Sequence, residues 1–133
     1  MPMLTVQLAA PPSSELSRSV ARSLTQLTST VLHKDPRVTV VNVDYVDPDR
    51  WFAGGGSAPR GYFVEIRVTD GTNTKNEKAE YIARVHAALE SLLGPCGPAS
   101  YVQVAEVNAD AYGYGGLTAE RRYVVSQPVA TPA

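Results

Sequence analysis

The sequence predicts an α+β fold in which a strand–helix–strand unit occurs twice, and two observations predict it. The residues from Val46 to Gly55 align without gaps on Val107 to Gly116, with valine, aspartate, an aromatic residue and a double glycine at equal spacing. The offset is 61 residues. Ahead of both segments the apolar pattern runs from alternation to three- and four-residue steps and back. Alternation marks a strand with one buried face, and the longer step marks a helix with one apolar stripe. Recurrence at a fixed offset reads as internal duplication.

In order, Leu4 to Leu8 alternates apolar and polar and is the first strand. Pro11 and Pro12 close it, and Ser13 and Ser14 offer oxygens to the first free amides of a helix. Leu16, Val20, Leu24, Leu27 and Val31 are that helix's stripe, and Lys34-Asp35-Pro36 ends it. Val38 to Val46 is a second strand, rich in β-branched residues, followed by a glycine loop at Gly54 to Gly56. The second unit opens with a strand from Tyr62 to Val68 and a turn at Asp70-Gly71. Thr74 and Glu77 form a T-x-x-E capping box. Ile82, Val85, Leu89 and Leu92 mark one helix face, which stops at Gly94-Pro95. Tyr101 to Val107 is the fourth long strand. In the tail, Arg122 to Val125 is a short strand candidate, and Gln127 to Ala133, rich in proline and alanine, is expected to be loose.

A crossover helix makes its flanking strands parallel and lies on one sheet face. The expected architecture is therefore a four-stranded mixed sheet with two helices on one face and pseudo-twofold symmetry. It forms a single domain over 1–133, with repeats at about 2–56 and 61–116 and a tail at 117–133. The other sheet face would be open in a monomer and so packs against further subunits. The 12 Lys and Arg against 13 Asp and Glu give a net charge of −1, with no basic surplus for nucleic acid or an anionic membrane. No apolar run reaches membrane-spanning length, and the N-terminus lacks a signal-peptide pattern. A single cysteine, Cys96, fits a reducing compartment, and a cytoplasmic location is expected.

Candidate chemistry begins at Pro2. Removal of Met1 would expose a secondary amine at the head of the first strand, and apolar surroundings near cations would lower its proton affinity toward the range of a general base. From the residues alone, Lys34 is a solvated lysine in a helix–strand turn. Tyr101 and Gln103 share one strand face, suited to an enolate oxygen or to packing against a neighbouring subunit. Arg37, Arg60, Arg67, Arg121 and Arg122 are candidate carboxylate clamps. Arg67 leads them because it sits in a strand whose alternate positions are apolar. Asp35 reads as turn chemistry before Pro36. His33, His86 and Cys96 show no ligand spacing, so no metal is expected. The glycine loops lack the Lys-Ser/Thr of a phosphate loop. Trp51 and Tyr112 hold matching positions and either wall a pocket or pack in the core or at an interface.

Pro2 at the head of a strand–helix–strand unit, with Tyr112-Gly113-Tyr114-Gly115-Gly116 at the end of the second, resembles the tautomerase superfamily, in particular 4-oxalocrotonate tautomerase. The two-unit length, Pro2-Met3-Leu4, Lys34, Phe52 to Gly55 with Ser57-Ala58-Pro59, Tyr101-Val102-Gln103 and Val107-Asn108-Ala109 are similar to macrophage migration inhibitory factor and the fused tautomerases. The resemblance implies a homotrimer and cofactor-free keto–enol chemistry on a small 2-oxo or unsaturated carboxylic acid. It makes Pro2 the acid/base, Lys34 the carboxylate ligand, and Tyr101 and Gln103 the enolate donors. Hydration, dehalogenation or decarboxylation of a small acid is the alternative within the superfamily, and a non-catalytic trimeric scaffold or binding module is the alternative outside it. The two diacid-binding arginines of 4-oxalocrotonate tautomerase fall on Pro12 and Val40 in the first unit and on Thr72 and Tyr101 in the second, so a different substrate is implied. The second unit starts with Tyr62, leaving one proline amine per chain.

Overall fold

The computed structural model describes residues 2–128; the end of the tail expected to be loose, 129–133, lies outside the described residues. The elements of the first unit are β1 (Met3–Ala9), α1 (Ser14–Leu32), β2 (Val40–Val46) and a small hairpin of β3 (Phe52–Ala53) and β4 (Gly56–Ser57). The second unit has β5 (Tyr62–Thr69), α2 (Lys75–Leu93), β6 (Tyr101–Val107) and a hairpin of β7 (Gly113–Tyr114) and β8 (Leu117–Thr118). A last helix, α3, covers Ala119–Ser126. Helices, second strands and hairpins recur 61 residues apart: Ser14 and Lys75, Val40 and Tyr101, Phe52 and Gly113 each open matching elements. The short 3₁₀ turns Pro48–Arg50 and Ala109–Ala111 obey the same offset.

The four long strands form one mixed sheet in the order β2-β1-β5-β6. β1 is parallel to β2, antiparallel to β5, and β5 is parallel to β6. The expected sheet, its crossovers and its pseudo-twofold axis between β1 and β5 are therefore present. The core lies on the helix face, where Leu4, Val6 and Leu8 meet Tyr62, Val64, Ile66 and Val68, all at most 1% exposed. Val20, Leu24 and Leu32 of α1 and Tyr81, Val85 and Leu89 of α2 close over them. Inside that layer Thr28 Oγ1 bonds the Leu24 carbonyl at 2.7 Å and Tyr81 Oη at 2.8 Å, so the buried hydroxyl of Thr28 is satisfied and ties the two helices together.

Local chemistry accounts for the ends. Ser13 Oγ accepts from the Leu16 amide at 3.1 Å, and Thr74 and Glu77 make the reciprocal box of two capping bonds. Both hairpins turn on paired glycines with positive φ, Gly54 and Gly55 at 59° and 80°, Gly115 and Gly116 at 60° and 84°. Two successive positive φ values make the type I′ turn that suits a two-residue hairpin, which explains the repeated double glycine.

Two expectations are corrected. Arg122 to Val125 is helical, not a strand: Thr118 Oγ1 accepts from the Arg121 amide at 3.0 Å and starts α3. The β-branched pair Val124-Val125 lies exposed on it, and local capping overrides its strand preference. On α2 the stripe is Tyr81, Val85 and Leu89, while Ile82 and Leu92 are more than a third exposed. Tyr81 takes the buried position because its hydroxyl has Thr28 to bond.

A candidate active site at one end of the sheet

Pro2 is buried and sits immediately before β1, and its carbonyl accepts a hydrogen bond from the Val40 amide at 3.2 Å, which pins it to the start of β2. Even-numbered β1 residues face the helices, so the Pro2 ring continues the buried row of Leu4, Val6 and Leu8. β5 runs antiparallel to β1, with Arg67 opposite Met3, so the C-terminal end of β5 and the loop after it reach the same end of the sheet.

Lys34 arrives there from α1. His33, at the helix C-cap, is left-handed with φ 59°, the only described non-glycine residue with positive φ. Its imidazole Nε2 lies 3.1 Å from Glu77, which holds the turn. The chain then bends so that Lys34 Nζ donates to Thr72 Oγ1 at 2.7 Å, and Thr72 in turn donates to the Thr69 carbonyl at 2.6 Å. Burial lowers the Lys34 pKa, against the raising effect of Glu77. The Lys34 ammonium thus sits half out of water beside the end of β5, unlike an ordinary surface lysine.

Tyr112 closes the near side. Its hydroxyl donates to the Arg67 carbonyl at 3.4 Å and lies against the Met3 backbone amide. Burial pushes the phenol up, outweighing Arg67 and the Met3 amide, so it stays a neutral donor. Of the readings open for Tyr112, pocket wall or core or interface packing, the structure shows it half-buried against the backbone at the Pro2 end, and the repeat was the signal that marked it. At the other end of the pseudo-twofold, its counterpart Trp51 lies so close to Gly61 that a Cβ there would strike the indole. Tyr62, which takes the place of Pro2 in the second unit, is buried. Its hydroxyl bonds His86 Nδ1, and His86 Nε2 reaches Glu90 at 3.1 Å.

The remaining site residues divide. Arg67 is at the Pro2 end on the open sheet face, where Glu65 pairs with it at 2.8 Å. Asp35 is engaged in the turn, accepting from the Arg37 amide and from its guanidinium at 2.9 to 3.1 Å. Arg60 lies against Gly94, at the other end. Tyr101 and Gln103 share the open face of the edge strand β6, as expected, but Tyr101 pairs with Phe63 and Gln103 with Glu65, far along β5 from the Pro2 end. The register places Tyr101 on the order of 15–20 Å from Pro2 in the same chain. A single chain therefore places Pro2, Lys34, Tyr112 and Arg67 at one end of the sheet, and Tyr101 and Gln103 away from it. Among the described residues no group of three or more His, Cys, Asp or Glu converges to hold a metal ion, and no helix is long and apolar enough to cross a membrane.

A cleft of about 410 Å³ opens beside this end between the loop after β5 and α3; Thr69, Asp70, Thr72, Tyr114, Arg122 and Tyr123 line it, and Pro2 itself does not. Thr72 links the cleft to Lys34.

No protein-family model matches the sequence, and no curated protein matches it. Solved structures do. A fused 4-OT, described as a wild-type symmetric trimer, superposes with a TM-score of 0.80 at 16% identity, covering 89% of this chain and 96% of its own. The FG41 malonate semialdehyde decarboxylase inhibited by 3-bromopropiolate gives 0.74 at 19% identity, with 97% and 99% covered. A macrophage migration inhibitory factor-like protein from Entamoeba histolytica gives 0.75 at 21% identity, with 88% and 97% covered. At such identities the likeness shows the fold: this chain has the tautomerase fold, as its sequence motifs implied. The decarboxylase match leaves too little of the chain uncovered to omit the 8 residues of α3.

Proposed function

We propose that this tautomerase-fold chain is an enzyme of the tautomerase superfamily that uses the Pro2 nitrogen as general acid/base in keto–enol conversion of a small 2-oxo or unsaturated carboxylic acid. The observation that carries the reading is a proline at position 2, buried at the head of β1 on the same sheet end as Lys34 and Tyr112. Once Met1 is removed, Pro2 presents a secondary amine in an apolar setting beside a cation, both of which disfavour its protonated form. The amine takes a proton from the carbon next to the substrate carbonyl and returns it at another carbon. Lys34 holds the carboxylate. A 2-oxo acid acidifies its own carbon proton, so no cofactor is required.

The enolate oxygen needs donors, and in one chain Tyr101 and Gln103 lie too far away. A homotrimer with open sheet faces turned inward supplies them from the adjacent subunit, in keeping with the fused 4-OT neighbour described as a trimer. A decarboxylase of a small β-keto acid is the second reading, favoured by the match to malonate semialdehyde decarboxylase that extends over α3.

The test is titration of the N-terminal amine in ¹⁵N-proline-labelled protein together with activity of a tagged form. The expected amine pKa is depressed below that of an ordinary N-terminus. Retained Met1 or an N-terminal tag turns the nitrogen into an amide without a basic lone pair. Folding should survive and activity should fall by roughly a hundred- to ten-thousand-fold, returning when the tag is cleaved back to Pro2. An ordinary amine pKa with full activity in the tagged chain refutes the mechanism. Deuterium uptake by an enolisable 2-oxo acid, against carbon dioxide release from a β-keto acid, separates the two readings.

A further inference from the structure

Arg122 sits in the wall of the cleft beside the Pro2 end. Its guanidinium lies 3.8 Å over the Tyr114 ring and Nη2 donates to the Tyr114 carbonyl at 2.9 Å, so two anchors fix its plane. Gly115 leaves the space it occupies, since a Cβ there would meet Nη2 at 2.8 Å. The guanidinium is nonetheless incompletely used. Nε is buried with no hydrogen-bond partner, and no carboxylate among the described residues pairs with Arg122. Arg37 and Arg67, on neighbouring elements, are already neutralised by Asp35 and Glu65. A buried donor without a partner carries a cost, and the guanidinium stands in the cleft wall with no counter-ion among the described residues. A preorganised planar guanidinium is the group best suited to a carboxylate.

We infer that Arg122 is the arginine that captures the ligand carboxylate at this site, delivered by α3 into the cleft that Thr72, the partner of Lys34, also lines. The ligand class follows from the lining. Tyr123 and Ala119 offer apolar surface for a flat or hydrophobic body, while Asp70 and Glu120 stand in the wall as like charges to any second carboxylate. The ligand is thus a small monocarboxylic acid with an apolar tail. Its role in turnover rests on the proposed Pro2 chemistry, whereas the binding does not.

Benzoylformate separates the two, because it has no proton on the carbon next to its ketone and binds without turning over. Its affinity and that of its methyl ester would be measured by NMR titration of the full chain with a free Pro2. The acid should bind the natural sequence better than the ester does. Arg122→Ala should weaken the acid about 10- to 100-fold and leave the ester unchanged. Arg122→Lys should recover only part of the loss. Arg121→Ala, on the same helix but outside the cleft, should bind normally. Equal binding of the acid by the natural protein and by Arg122→Ala, or no preference for acid over ester, overturns the assignment. If Arg122→Ala loses the amide signals of α3, the Arg122→Lys result decides. An Arg122-dependent affinity beside an ordinary Pro2 amine pKa would sink the catalytic reading alone.

Discussion

Burial draws the Lys34 ammonium out of water while Glu77 pulls the other way, and burial wins, so its pKa is lowered. A lowered pKa means that Lys34 gives up its charge at a lower pH than an ordinary lysine. If Lys34 holds a substrate carboxylate, KM for acid substrates should climb on the alkaline side earlier than a free lysine would dictate. Lys34→Arg, whose charge does not titrate there, should flatten that climb. Lys34→Ala should raise KM on the order of tenfold or more with kcat little changed, since uniform binding is lost, and should spare an ester. Steady-state kinetics across pH check all three, and an unaltered KM in Lys34→Ala returns the residue to a structural part in the turn. The position of Lys34 after the first helix was legible in sequence. Its bond to Thr72 was not, because Thr72 is 38 residues away and only the antiparallel pairing of β1 with β5 joins them. Tyr101 and Gln103 illustrate the complementary limit: their shared strand face follows from a period of two, but their distance from Pro2 depends on register, which periodicity does not carry.

The helices owe their bounds to local chemistry and their partnership to one buried contact. Thr74→Ala removes a capping bond at the start of α2 and should cost about 1 kcal/mol in chemical denaturation. Glu77 is held below the usual carboxylate range, first by the Thr74 backbone bond. A depressed folded pKa contributes stability above the unfolded value that is lost as pH falls through the folded one, so Glu77→Gln should flatten the acid limb of the stability profile. Tyr81→Phe deletes the link between α1 and α2, yet Thr28 keeps its bond to the Leu24 carbonyl, so the loss should be modest, about 1 kcal/mol. Thr28→Val strands the buried Tyr81 hydroxyl instead and should cost more; the opposite ranking would show that the link is slack. Both caps could be read from Ser13 and from the T-x-x-E box. α3 escaped because its valines look like a strand, and its start at Thr118 lacks the acidic third residue that completes a box.

At the scale of the molecule, the open sheet face is what a lone chain leaves unfinished. Met3, Val40, Phe63, Tyr101 and Val107 stand on it among polar neighbours, and Val40 and Tyr101 are 53% and 67% exposed. Sedimentation should find a trimer, and Phe63→Asp on that face, toward the end away from Pro2, should yield folded monomers with unchanged helix content; a stable native monomer would remove both the assembly and the shared site. The repeat itself was plain in the sequence, whereas the different fates of its two ends were not: each has a cleft of similar size beside it, but one buries Tyr62 against His86 where the other has Pro2. That inequality has a topological root. A strand can offer a secondary amine only where a chain begins, so joining two units into one polypeptide abolishes one such beginning whatever residue stands there. Tyr62, at the second head, is then free to serve cohesion, and its bond to His86 does so. Cutting the chain ahead of Tyr62 and tying the old ends together would move the beginning to the other half. With Tyr62→Pro the permuted protein would place a new amine near Trp51, and the turnover it gained there would measure how alike the two ends have stayed.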